Sequence, residues 1–145
     1  NIFYNFNSNY ILMKKILLFL LIILTSCSAP DECPEILFDD INRISTLSDG
    51  NLYTGRCLTF ENGSKRSIQQ YLNGKDYGKW IFYFPDGSVE TKGRFNKAGQ
   101  RVGKWKYYYE TGQSKQVSRY SRNGERTGKW IYYNNEGEIT NEVNY

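Results

Sequence analysis

Two kinds of hydrophobic pattern run along this chain. One is a single continuous apolar stretch, Ile16 to Leu24, close behind two lysines. The other is a series of short aromatic runs set among polar turn formers: Trp80-Ile81-Phe82-Tyr83-Phe84, Trp105-Lys106-Tyr107-Tyr108-Tyr109 and Trp130-Ile131-Tyr132-Tyr133. Runs of this length and composition suit a pleated surface and predict β-strands. Each is followed by a turn signal, Pro85-Asp86-Gly87, Glu110-Thr111-Gly112 or Asn135-Glu136-Gly137, and then by a second strand ending at Phe95, Tyr120 or Tyr145. Proline presets φ and glycine accepts positive φ, so each unit reads as a β-hairpin. No window outside Ile16–Leu24 offers a helical period.

The hairpins repeat. Gly78-Lys79-Trp80, Gly103-Lys104-Trp105 and Gly128-Lys129-Trp130 start 25 residues apart, and Gly87, Gly112 and Gly137 keep the same phase. A fixed period in this range marks a repeat architecture. An earlier copy begins at Gly55-Arg56-Cys57, passes Asn62-Gly63 and reaches Tyr71 and Gly74, two residues shorter and with Cys57 in place of tryptophan. Four copies result, at about 53–74, 78–99, 103–124 and 128–145, inside a region 52–145 joined by loops such as Asn96 to Val102. The expected fold is all-β: an elongated antiparallel meander of four successive β-hairpins with a short N-terminal cap.

Alternation along each strand sorts the side chains onto two faces. One receives Trp80, Phe82 and Phe84, then Trp105, Tyr107 and Tyr109, then Trp130 and Tyr132. The other receives Lys79, Ile81 and Tyr83, then Lys104, Lys106 and Tyr108, then Lys129, Ile131 and Tyr133. In one meander, equivalent residues lie two strand spacings apart, roughly 10 Å. The tryptophans are expected to pack, since large aromatics supply most of the buried area of a thin sheet. The strip Lys79, Tyr83, Lys104, Tyr108, Lys129 and Tyr133 is the expected binding surface. Exposed aromatics beside cations suit glycans, acidic peptides or anionic surfaces.

The pattern Gly-x-Trp-x-Tyr-Tyr-x-x-x-Gly, continuing to the tyrosine and glycine that close each copy, resembles the bacterial variant of the MORN repeat over residues 53–145. That resemblance implies a sheet of hairpins and a binding or scaffolding role, with no catalytic residues to carry over. Such proteins are commonly labelled antitoxins of toxin–antitoxin systems, the YwqK-like group. It leaves two further readings: an immunity protein neutralising a toxic partner outside the membrane, and a cell-wall glycan-binding module.

The N-terminal apolar run reads as a secretory signal over 13–26, with residues 1–12 as translation upstream of Met13, the only methionine. Nine apolar residues are too few to span a bilayer core of ~30 Å. Leu24-Thr25-Ser26-Cys27 resembles a bacterial lipobox, which implies lipidation of Cys27, a membrane anchor and a place in the cell envelope, at the outer membrane or cell surface. Residues 27–33 are then a polar tether, and Asp31-Glu32 within it resembles an acidic export signal.

An exported protein meets oxidising conditions, and with Cys27 acylated the remaining cysteines are Cys33 and Cys57. Cys57 lies on the tryptophan side of the first hairpin, where no earlier copy shields it. Residues 34–51 carry Ile36, Phe38, Ile41, Ile44 and Leu47, enough to fold over that end as a cap, and a Cys33–Cys57 bridge is expected to fasten it. The alternative is two free, half-buried thiols.

Composition removes other classes. The chain has no histidine, hence neither the usual general base nor the commonest metal ligand. The acids never recur as a matched pair at one repeat position, and the glycines follow the hairpin rhythm without forming a phosphate loop. No enzyme, cofactor or metal is expected. The formal charge of +4 falls by two when Lys14 and Lys15 leave with the signal, and no basic tract remains, so nucleic acid is not an expected partner. The expected partners are the membrane, through the lipid, and another envelope protein or a glycan.

Overall fold

A computed structural model describes residues 30–145. The signal segment, Cys27 and the first half of the tether lie outside the described residues. Twelve strands follow in chain order: β1 (Asp31–Glu32), β2 (Ile36–Asp39), β3 (Ile44–Leu47), β4 (Gly55–Glu61), β5 (Ser64–Leu72), β6 (Lys75–Asp76), β7 (Gly78–Tyr83), β8 (Val89–Phe95), β9 (Arg101–Tyr108), β10 (Ser114–Tyr120), β11 (Lys129–Tyr133) and β12 (Ile139–Asn144). Ten form one sheet in the order β1-β4-β5-β7-β8-β9-β10-β11-β12, with β6 paired to β5. β2 and β3 make a separate two-stranded hairpin.

The turns explain why the sheet runs on without interruption. Gly87, Gly112 and Gly137 have φ near +85°, and each N–H donates to the carbonyl three residues back, on Phe84, Tyr109 and Asn134. The linkers between copies use the same device: Gly99 N–H donates to Asn96 O and Gly124 N–H to Ser121 O. Asn96 Oδ1 accepts from the N–H groups of Ala98 and Gln100, and Ser121 Oγ from those of Asn123 and Glu125. The expected loop from Asn96 to Val102 is therefore a tight turn, with β9 already under way at Arg101. In the first copy Asn62 and Gly63 both have positive φ, the two-residue primed turn that matches strand twist. That turn accounts for one of the two missing residues, and the linker turn at Asn73 and Gly74, where both φ values are again positive, accounts for the other.

One feature departs from a pure antiparallel meander. β1 pairs with β4 in parallel, Asp31 opposite Cys57 and Glu32 opposite Leu58, so the large sheet is mixed. The end of the expected tether is thus an edge strand. A chain entering from the cap side has to run alongside β4 to bring Cys33 within reach of Cys57, and the two sulfurs are bonded, with their Cα atoms 4.7 Å apart.

The cap hairpin docks by backbone and by a few side chains. Ser45 N–H donates to Gly74 O, and Gly74 N–H to Tyr53 O. Ile36, Cys33 and Tyr53 pack against buried Cys57, Tyr71 and Trp80. Ile41, expected among the covering residues, is 93% exposed at the hairpin tip, and Phe38 is half exposed. The cause is that β2 and β3 pair residue for residue, Ile36 to Leu47 through Asp39 to Ile44. Ile41 falls in the turn beyond the last pair.

Each main hairpin also carries a β-bulge at the same place. The register skips Arg66, Glu90, Lys115 and Thr140 on the second strand of the four copies. A bulge adds one residue, bends its strand and re-aims side chains.

Candidate functional site

On the tryptophan face, packing accounts for most of what is seen. Trp80, Trp105 and Trp130 are all buried, and each indole N–H donates to a backbone carbonyl one strand back: Gln70 at 2.8 Å, Arg94 at 3.2 Å and Arg119 at 2.9 Å. Aromatics on the second strands fill the gaps in the ladder, with Phe95 centred 5.2 Å from Trp80 and 5.0 Å from Trp105. Tyr120 and Tyr145 flank Trp130 in the same way. Gly93 has a specific reason to be glycine, because a Cβ there would stand 2.1 Å from the Trp105 ring. Guanidinium groups cover two of the indoles, Arg101 4.6 Å above Trp105 and Arg126 5.0 Å above Trp130. Burial pushes the Tyr71 phenol well above its ordinary range. Phe84 and Tyr109, expected on this face, lie just past the strand ends, in the turns.

From β7 to β10 the opposite face sets cations across from cations. Residues directly opposite across paired strands share a face, and Lys79 stands opposite Arg94, Lys104 opposite Arg119 and Lys92 opposite Lys106. Arg56 extends the array on β4. Arg56, Lys79, Arg94, Lys104 and Arg119 are exposed, and Lys92 and Lys106 half-buried. Among the described residues there are three ion pairs: Arg66 with Glu61, Arg66 with Glu90, and Lys129 with Glu142. None of these seven cations takes part. Like charges directly opposite one another destabilise a sheet, so this arrangement has no folding rationale.

The expected Lys/Tyr strip is therefore only partly assembled. Lys79 and Lys104 are exposed and unpaired. Lys129 is tied to Glu142 at 2.7 Å. Tyr83 is 8% exposed, with the Lys65 ammonium 4.0 Å over its ring, and it leaves the strip. The Arg66 and Glu90 bulges bring the first two hairpins together beside it: Arg66 donates to both Tyr83 O and Glu90. Tyr108 and Tyr133 are half-buried, Tyr108 under Lys92 at 5.2 Å. Arg94 and Arg119 were missing from the strip. Counting alternation back from Phe95 and Tyr120 would have found them, since each directly precedes the aromatic that faces the other way.

Among the described residues, no group of three or more acids and cysteines is placed to hold a metal. Burial raises the Asp76 carboxyl above its ordinary range, with Arg43 and Arg101 pulling the opposite way. No helix of the described residues is long and apolar enough to cross a membrane.

No family model matches the chain, and no curated protein matches it. Among solved structures it is similar to a chain in the crystal structure of the GtfA/B complex bound to UDP and GlcNAc, at 15% identity and a TM-score of 0.34. The match covers 82% of this chain but only 25% of the other, and at that score the likeness carries no functional argument.

Proposed function

We propose that this chain is a non-catalytic binding module of a bacterial envelope, a MORN-like repeat protein anchored through a lipid on Cys27, whose cationic face engages an acidic envelope protein. One observation carries the reading. Three cross-strand pairs of like charge, Lys79–Arg94, Lys104–Arg119 and Lys92–Lys106, stand on one face, and none of their six cations is in an ion pair among the described residues. Folding gains nothing from this; an anionic partner relieves it. Such a field steers association and sets specificity more than it adds raw affinity.

The four hairpins in phase support the repeat assignment, and Leu24-Thr25-Ser26-Cys27 supports the anchor. Cross-linking the lipidated protein in its host envelope, followed by mass spectrometry, tests the reading. A variant with Lys79, Arg94, Lys104 and Arg119 all changed to glutamine is expected to lose the cross-linked species, and capture by the unaltered protein should fall steeply with added salt. Cross-links that survive both changes would sink the proposal. The mass of the mature N-terminus tests the anchor separately: an unmodified Cys27 overturns it.

A further inference from the structure

The repeat breaks its own rule at one position on the aromatic face. Arg101 and Arg126 each stand four residues before a tryptophan and lie over that indole. The equivalent residue before Trp80 is Asp76, which reverses the charge and cannot stack as a guanidinium does. Two adjoining clefts, of about 540 and 420 Å³, meet at this place, and Asp76 and Trp80 line both. Both volumes fall in the range of small-molecule sites.

The cap completes the walls. Because the Cys33–Cys57 bond and the Ser45–Gly74 hydrogen bond hold the cap over the first copy, only the Trp80 region gains a second side to its cleft. Ile36 and Phe38 form that side, while Phe82, Phe95 and Tyr107 continue the aromatic floor. Arg43 at the cap tip and Arg101 from the next copy line the second cleft with Asp76, and both act on its ionisation. Yet Asp76 forms no ion pair within 4.0 Å among the described residues. A half-buried acceptor and two donors thus surround space instead of closing on each other.

We infer that this slot over Trp80 binds one sugar unit of a glycan. A sugar ring offers an apolar C–H face for the aromatic floor and a rim of hydroxyls that both donate and accept. The Asp76 carboxylate accepts from those hydroxyls, and the Arg43 and Arg101 guanidinium groups donate to them. The mixed rim argues against the other small ligands. A cation meets two guanidinium groups, and a phosphate meets the carboxylate. The slot lies on the opposite face from the cation field, so the two proposals stand or fall separately.

The test applies the whole protein to an array of neutral and uronic-acid oligosaccharides, including soluble peptidoglycan fragments, and follows positives by tryptophan fluorescence. Binding by the unaltered protein is expected. Asp76→Arg restores the residue of the later copies, fills the slot from within and is expected to abolish it. Arg43→Ala, at the exposed cap tip, is expected to weaken binding about tenfold through loss of a charge-assisted hydrogen bond. An array with no positives overturns the inference. So does undiminished binding by a folded Asp76→Arg or Arg43→Ala protein.

Discussion

The two faces of the sheet are made by alternate residues of the same strands, and they obey opposite rules. On the tryptophan face all three indoles are buried, every indole N–H has a carbonyl, and Arg101 and Arg126 each cover an indole. On the cationic face the cross-strand neighbours repel, and Ile81, Val117 and Ile131 remain half-exposed between them. One face holds the fold together, and the other is left with unmet electrostatic demand. In a single-layer sheet the pleat alone can separate aromatic packing from surface charge.

Perturbing the tryptophan face should produce the largest effects. Trp105→Ala removes the most buried ring and should cost about 3–5 kcal/mol, read from urea unfolding of the protein. A loss below 1 kcal/mol would show that this face is not the core. Replacing Cys33 and Cys57 together with serine opens a loop of 24 residues' separation and should cost about 3 kcal/mol on chain-entropy grounds. The loss should be confined to the first copy, where amide exchange ought to accelerate in β4 and the cap. Gly93→Ala drives a methyl into the Trp105 ring and should cost about 1–3 kcal/mol; an unchanged melting curve would mean that the indole has room to move.

Smaller effects, with opposite sign, belong to groups that serve no folding purpose. Burial raises the Asp76 carboxyl above its ordinary 3.8, against the pull of Arg43 and Arg101. The folded state therefore holds that proton more tightly than the unfolded chain, and stability falls as pH rises from 3.8 through the raised value. Asp76→Asn should melt higher than the unaltered protein at neutral pH, with the difference vanishing near pH ~3, where both states are protonated. A constant difference across that range would show that ionisation is not the cause. Lys79→Glu turns a repelling pair with Arg94 into an attracting one and should stabilise by about 0.2–1 kcal/mol, less in high salt. A destabilised variant would mean that the lysine already has a favourable role in the fold.

Much of the architecture was legible because turn chemistry and strand alternation are local. Gly87, Gly112 and Gly137 announced the hairpin turns, Asn62-Gly63 announced the tighter first one, and the Gly-Lys-Trp phase placed the tryptophans on one face. The position of Cys57 in that phase pointed to Cys33. What misled was any inference that needed a residue count across a bulge or between elements. Tyr83 precedes a skip at Glu90 and lies beside another at Arg66, and Lys65 closes over it. Ile41 looked like a covering residue until the β2–β3 pairing left it in the turn.

Neighbours within one repeat are enough to set the hairpin rhythm, the identity of the packing rings and the cysteine available to fasten the cap. Strand pairing was needed to run β1 parallel to β4, to join Arg94 and Arg119 with lysines from other strands in one field, and to face Asp76 into a cleft beneath the cap. Those outcomes depend on which strands lie side by side and in what register. Cations that look dispersed along the chain become neighbours about 5 Å apart once strands pair.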